Sequence, residues 1–214
     1  MSSNSHKFLR LNITPQFDEQ GSALAFVILM SIESPSLKAV TPILELFTKL
    51  GNVPTQSYDG HAIQAFDALG TLPLETKDTG ADGNLRTWFV ISATKGDVSV
   101  RFRALPQIID AKTPTGPRID LRLDQGGLQG GGYSFIPVPP DNSQPSRTYR
   151  LIVEWDLTQA PAGTRAVWTF GEGPTPVEKL GSASLFTKSQ YMAGPVRSYL
   201  PASEVGANDY YGFY

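Results

Sequence analysis

The chain has 214 residues, 40% of them hydrophobic and 18% charged, with a formal net charge of −2. That mixture excludes intrinsic disorder, which requires low hydrophobicity and high net charge, and without a basic surplus the expected partners include neither nucleic acid nor a membrane surface. Cysteine is absent and histidine occurs only at His6 and His61, so disulfides, thiolate nucleophiles and sulfur-bound zinc are excluded and no metal or cofactor is expected.

Residues 1–7 read as a disordered polar leader, with a single domain over 8–214. No secretory signal follows the first Met, and the longest apolar run, Leu24 to Met30, is seven residues. A membrane span needs about 20. The expectation is a cytoplasmic chain.

Most of the chain beyond the leader reads as short strands separated by turn residues. Phe8, Arg10 and Asn12 alternate with Leu9, Leu11 and Ile13, the period of a half-buried strand. Ala23 to Ile32 is denser in apolar residues, as expected for a strand covered on both faces. Residues 42–50 are open between a short helix and an irregular strand. Thr41 and Pro42 supply a helix start, Gly51 a stop, and Ile43, Leu44, Leu46, Phe47 and Leu50 follow at helical spacing. Further strands are expected over Ala62 to Asp67, Leu85 to Ser92, Val98 to Ala104, Arg118 to Leu123, Tyr149 to Leu157 and Ala166 to Phe170. The runs flanking Thr94-Lys95-Gly96-Asp97 read as a hairpin. Pro137 to Ser146 reads as a loop. Glycine and proline at the joints favour an all-β, antiparallel β-sandwich.

No catalytic motif is present. His61 is followed by Ala62-Ile63-Gln64-Ala65, so the HExxH metal face cannot form, and there is no nucleophile elbow and no phosphate-binding lysine loop. As a base His61 would need a nucleophile and an orienting acid beside it; the simpler reading is a turn residue. Five glycines fall within the seven residues Gly126–Gly132. Glycine costs ordering entropy, so such a run belongs where side chains would clash or positive φ is needed. It reads as a bulge and bend before Tyr133, or as a surface that another backbone or a ligand approaches. Asp124, Gln125, Gly126, Gly127 and Tyr133 are then candidate ligand contacts, with His61 and Trp168. Trp88, Trp155 and Trp168 read as core, with an exposed indole as a sugar platform the alternative. The chain ends on Tyr210, Tyr211, Phe213 and Tyr214, candidates for packing against another domain.

Several stretches together resemble the N-terminal domain of the glycyl aminopeptidase family. They are Asn52-Val53-Pro54-Thr55 with Tyr58, Asp67 to Leu74, Asp120 to Leu128, Tyr133 to Pro137, Tyr149 to Leu157 and Met192-Ala193-Gly194-Pro195-Val196. Those enzymes join such a β-rich domain to a thermolysin-like zinc domain, usually with a PDZ domain. The family's zinc ligands and general base lie beyond the matching region, so none can be carried onto this sequence. The resemblance implies a non-catalytic accessory domain that packs on a peptidase-type domain and shapes its substrate cleft. Two alternatives stand beside it: a small-molecule binder or cyclase-type enzyme with a pocket between its sheets, and a carbohydrate-binding module using its tryptophans.

Overall fold

The computed structural model describes residues 6–108, 110, 112–113, 119–141, 146–199 and 212–213. Leu9, Leu11 and Ile13 are fully buried while Phe8, Arg10 and Asn12 keep some access to water, so the period of two becomes the strand Phe8–Phe17. Residues 1–5 of the expected leader lie outside the described residues. Lys7 is tied to the fold: its carbonyl accepts from the Arg150 N–H at 2.9 Å and its ammonium donates to the Ser34 carbonyl at 2.5 Å.

The largest sheet has seven strands, in spatial order Val177–Gly181, Tyr149–Trp155, Phe8–Phe17, Ala23–Ile32, Val98–Ala104, Gln64–Asp67 and Gly70–Leu72. A five-stranded sheet runs Arg122–Asp124, Gly127–Gly131, Gln190–Gly194, Arg165–Trp168 and Gly171–Glu172. A three-stranded sheet runs Thr41–Phe47, Leu85–Val90 and Leu74–Thr79. The fold is the expected all-β sandwich. Its pairings are antiparallel apart from Phe8–Phe17 against Tyr149–Trp155, which are parallel. Parallel neighbours require a long crossover, and here most of the chain intervenes.

An aromatic seam joins the inner faces. Phe26 meets Trp155 at 5.6 Å, Trp155 meets Tyr191 at 6.4 Å, and Tyr191 meets Phe135 at 5.6 Å between ring centroids. Tyr58 links Trp88 of the three-stranded sheet to Phe102 of the seven-stranded one, with ring centroids 6.4 and 5.4 Å away. All of these rings are buried, and each such burial is worth about 2–3 kcal/mol. One apolar cluster takes residues from all three sheets.

Four expectations are corrected. Residues 42–50 are not helical: Thr41–Phe47 is a strand paired with Leu85–Val90, its register shifting between Pro42 and Leu44. It lies at a sheet edge, where the missing N–H of proline is tolerated. Gly51 turns a two-stranded ribbon of Lys49–Leu50 with Val53–Pro54 rather than capping a helix. The short α-helix of the fold is Ser184–Thr187.

The runs flanking residues 94–97 do not form a hairpin. Leu85–Val90 belongs to the three-stranded sheet and Val98–Ala104 to the seven-stranded one. The turn bonds outward instead: the Thr94 hydroxyl oxygen accepts from the Leu37 N–H, the Lys95 N–H donates to Asp67, and Asp97 accepts from Ser34. Ala23–Ile32 is not covered on both faces, since Leu24 and Leu29 are 43% and 42% exposed. Among the described residues of the run expected over 118–123, only Arg122 and Leu123 fall in a strand, Arg122–Asp124. Alternation fails there because Asp120 and Leu121 are both buried. Among the described residues no helix is long and apolar enough to cross a membrane.

Candidate functional site

Most of the glycine run is strand, Gly127–Gly131, with Gly126 in the turn before it and Gly132 opening a 3-10 turn after it. Arg122–Asp124 and Gly127–Gly131 form a hairpin whose two loop residues, Gln125 and Gly126, have φ of +47° and +85°. That pair of positive values matches the mirror-image turns that suit two-residue hairpins. The glycines beyond the turn admit neighbouring backbone. A Cβ on Gly130 would lie 2.7 Å from the Leu121 Cα, and one on Gly132 would lie 2.1 Å from the Phe186 carbonyl oxygen. The approaching backbone is the chain's own.

This close packing shapes two grooves around the hairpin. One, of about 280 Å³, is lined by Asp124, Gln125, Gly127, Met192, Val196 and Arg197, among others. The second, of about 380 Å³, is lined by Asp120, Arg122, Asp124, Gln129 and Gln190, with Leu123 and Gly130. Asp124 and Gln129 belong to both, and the Gln129 amide donates to the Asp124 carboxylate. Register places Arg122 opposite Gln129 and Gln129 opposite Met192, so these side chains stand in a row across the sheet.

Asp120 is the unusual member. Its side chain is 2% exposed; Oδ2 accepts from Arg122 Nε at 2.5 Å, and Oδ1, also buried, has no hydrogen-bond partner among the described residues. A buried carboxylate oxygen without a donor is costly. On the same sheet Arg165 grips Glu172 through two bonds of 2.6 and 2.7 Å, the planar fork that suits guanidinium to carboxylate. Carboxylates, guanidinium groups and carboxamides therefore line an apolar-backed surface. Such a surface can bind polar groups by hydrogen bonds and charge. Among the described residues no group of three or more His, Cys, Asp or Glu could hold a metal ion.

Of the residues singled out in the sequence, Asp124, Gln125 and Gly127 come together at the first groove, with Gly126 in the turn beside them. Tyr133 does not join them; it lines a separate groove with Glu45 and Lys188. His61 is exposed in the turn before Gln64–Asp67. Trp168 is corrected: it is 2% exposed, stacked on Tyr191 at 6.3 Å. Trp88 and Trp155 are equally buried. A sugar platform needs an exposed ring face, so the carbohydrate reading through these tryptophans is overturned. Tyr210, Tyr211 and Tyr214 lie outside the described residues, while Gly212–Phe213 pairs with Ser198–Tyr199. Sequence reasoning singled out none of Asp120, Arg122, Gln129, Gln190, Met192 and Arg197 as site residues. No local signal ties 120–129 to 190–197; strand pairing brings them together.

No family model and no curated protein matches this chain. Among solved structures it is similar to an aminopeptidase N family protein of Idiomarina loihiensis, with a TM-score of 0.54 and 13% identity, over 91% of this chain and 31% of that one. An M1 zinc metallopeptidase of Deinococcus radiodurans bound to a Tyr-Ser-Ala substrate gives 0.43 and 10%, over 94% and 45% of the two chains. Native yeast LTA4 hydrolase gives 0.44 and 11%, over 92% and 30%. At this identity the first of these likenesses is one of fold. The chain spans about a third of the length of that aminopeptidase N family protein.

Proposed function

We propose that residues 8–214 act as one non-catalytic accessory unit that packs on a zinc-peptidase-type domain and walls its substrate cleft. The grooved face around Asp120, Asp124 and Gln129 is the surface turned to that partner. The observation that carries this reading is the asymmetry of the fold likeness: 91% of this chain against 31% of an aminopeptidase N family protein. The polar lining of that face, Arg122, Asp124 and Gln129 with Gln190, supports it, because such groups can hydrogen-bond a docked second body. The finer likeness to glycyl aminopeptidases, the packing role of Tyr210, Tyr211, Phe213 and Tyr214, and a cytoplasmic setting belong to the same reading.

The purified chain, given zinc and glycyl or alanyl amides, is expected to show no turnover. Mixed with a thermolysin-like zinc domain of an aminopeptidase, it is expected to sediment as a 1:1 complex that Asp124→Ala weakens. Zinc-dependent hydrolysis by the chain alone, or no association at all, overturns the reading.

A second reading, a small-molecule binder or cyclase-type enzyme, is favoured by the grooves' volumes of about 280 and 380 Å³. Pockets for drug-sized ligands begin at roughly 300 Å³, a size that the second groove reaches. Saturable binding of a small molecule that Gln129→Ala abolishes, in the absence of any partner domain, would select it.

A further inference from the structure

A third groove, of about 210 Å³, lies between the strand Thr41–Phe47 and the helix Ser184–Thr187. Leu46, Phe47, Leu85, Val138 and Tyr133 give it an apolar lining. Glu45 enters from the strand and Lys188 from the residue after the helix. Glu45 and Phe47 are two residues apart, so they share one face of the strand.

The polar groups of this lining fall into two sets. The Thr187 hydroxyl is engaged with the Ser184 carbonyl at 2.9 Å, and the Ser184 hydroxyl with that of Ser182 at 2.8 Å. Among the described residues, the Glu45 carboxyl, the Tyr133 hydroxyl and the Lys188 ammonium make no hydrogen bond or ion pair. Burial, together with the Asp141 carboxylate, pushes the Glu45 carboxyl above its ordinary range. A cation brought beside it would reverse that shift.

An uncommitted anion and an uncommitted cation on the rim of one apolar recess make a receptor for a molecule carrying both charges. We propose that this groove binds a small zwitterion with an apolar body, the chemical class of a free apolar α-amino acid, its ammonium on Glu45 and its carboxylate on Lys188. A dry cavity of about 150 Å³ accepts benzene, so 210 Å³ accepts a benzyl or isobutyl side chain with the head group at the rim. The site draws on none of the hairpin-groove residues and is independent of the accessory-domain reading.

The test is titration calorimetry on the full chain with three probes: L-phenylalanine, 2-phenylethylamine and 3-phenylpropanoate. L-phenylalanine is expected to bind saturably, and each single-headed probe to bind on the order of tenfold more weakly, the loss of one charge-assisted contact. Glu45→Gln should weaken phenylalanine and the amine but leave the carboxylate probe unchanged; Lys188→Met should do the converse. Circular dichroism melts establish that each variant is folded, and Leu85→Trp, which fills the recess, should abolish binding of all three. Absence of saturable phenylalanine binding to the folded wild-type chain overturns the proposal. So does equal affinity for the three probes, or binding indifferent to both charge variants.

Discussion

The hydroxyl of Tyr58 donates to the carbonyl of Phe135 at 2.6 Å, both residues buried. This bond ties the segment leading into Gln64–Asp67 to the turn that follows the glycine strand, across 77 residues of sequence. Burial pushes the Tyr58 phenol well up, so it stays a donor across the usable pH range. Tyr58→Phe leaves the ring in place and strands the carbonyl. The expected loss is about 1–3 kcal/mol, read from urea unfolding, and an unchanged midpoint would show that the carbonyl finds another donor.

Gly127 packs against the strand Gln190–Gly194 so tightly that a Cβ would lie 2.7 Å from the Ala193 carbonyl oxygen. Gly127→Ala must push two paired strands apart, at about 1–3 kcal/mol. Because Gly127 and Ala193 both line the first groove, the same variant should alter that groove. Denaturation together with amide exchange along 190–194 checks both, and unchanged protection there would contradict the tight packing.

Arg122 partners the buried Asp120 while keeping 24% of its own side chain in water. Removing it by Arg122→Met leaves a buried carboxylate without a cation. Complete burial would make that cost about 3–5 kcal/mol; partial solvation of the guanidinium reduces the expectation to about 1–3. Adding Asp120→Asn should recover part of the loss. A double variant no more stable than the arginine variant alone would mean the pair is not coupled.

Glu45 and Asp78 set opposite pH trends. The Glu45 carboxyl is pushed up, first by burial and then by Asp141, so the folded state holds its proton more tightly than the unfolded state does. Its contribution to stability declines as pH rises from the ordinary carboxylate range through the raised folded value. Glu45→Gln should therefore raise the melting temperature at neutral pH and lose that advantage in acid.

The Asp78 carboxyl is held low, chiefly by its hydrogen bond from Arg86. Its contribution is present above the ordinary carboxylate range and disappears as pH falls through the lowered value. With 46% of the side chain exposed, Asp78→Asn should cost no more than about 1 kcal/mol at neutral pH and nothing near pH 2. Melts of both variants against pH test the signs.

Strand existence was legible wherever the period of two was strong. Val98, Val100, Phe102 and Ala104 are buried while Arg101 and Arg103 face water, as their alternation requires. The glycine run was legible as an anomaly, since Gln125-Gly126 demands positive φ, but not as a strand, because glycine has no side chain to show a period. Residues 42–50 fit a helix and a strand equally until Leu85–Val90 supplied the hydrogen-bond partners.

What the sequence determined by itself was therefore local and compositional: an all-β chain with buried alternating faces, and without thiols or paired imidazoles. Backbone sterics and side-chain hydrophobicity act between near neighbours, so they are written in near neighbours. Which strand lies beside which, why residues 85–104 divide between two sheets, and how Asp120 and Gln129 come to share a groove with Gln190 were decided only in the tertiary structure. Those outcomes depend on the mutual fit of segments dozens of residues apart, and no single segment encodes its partner.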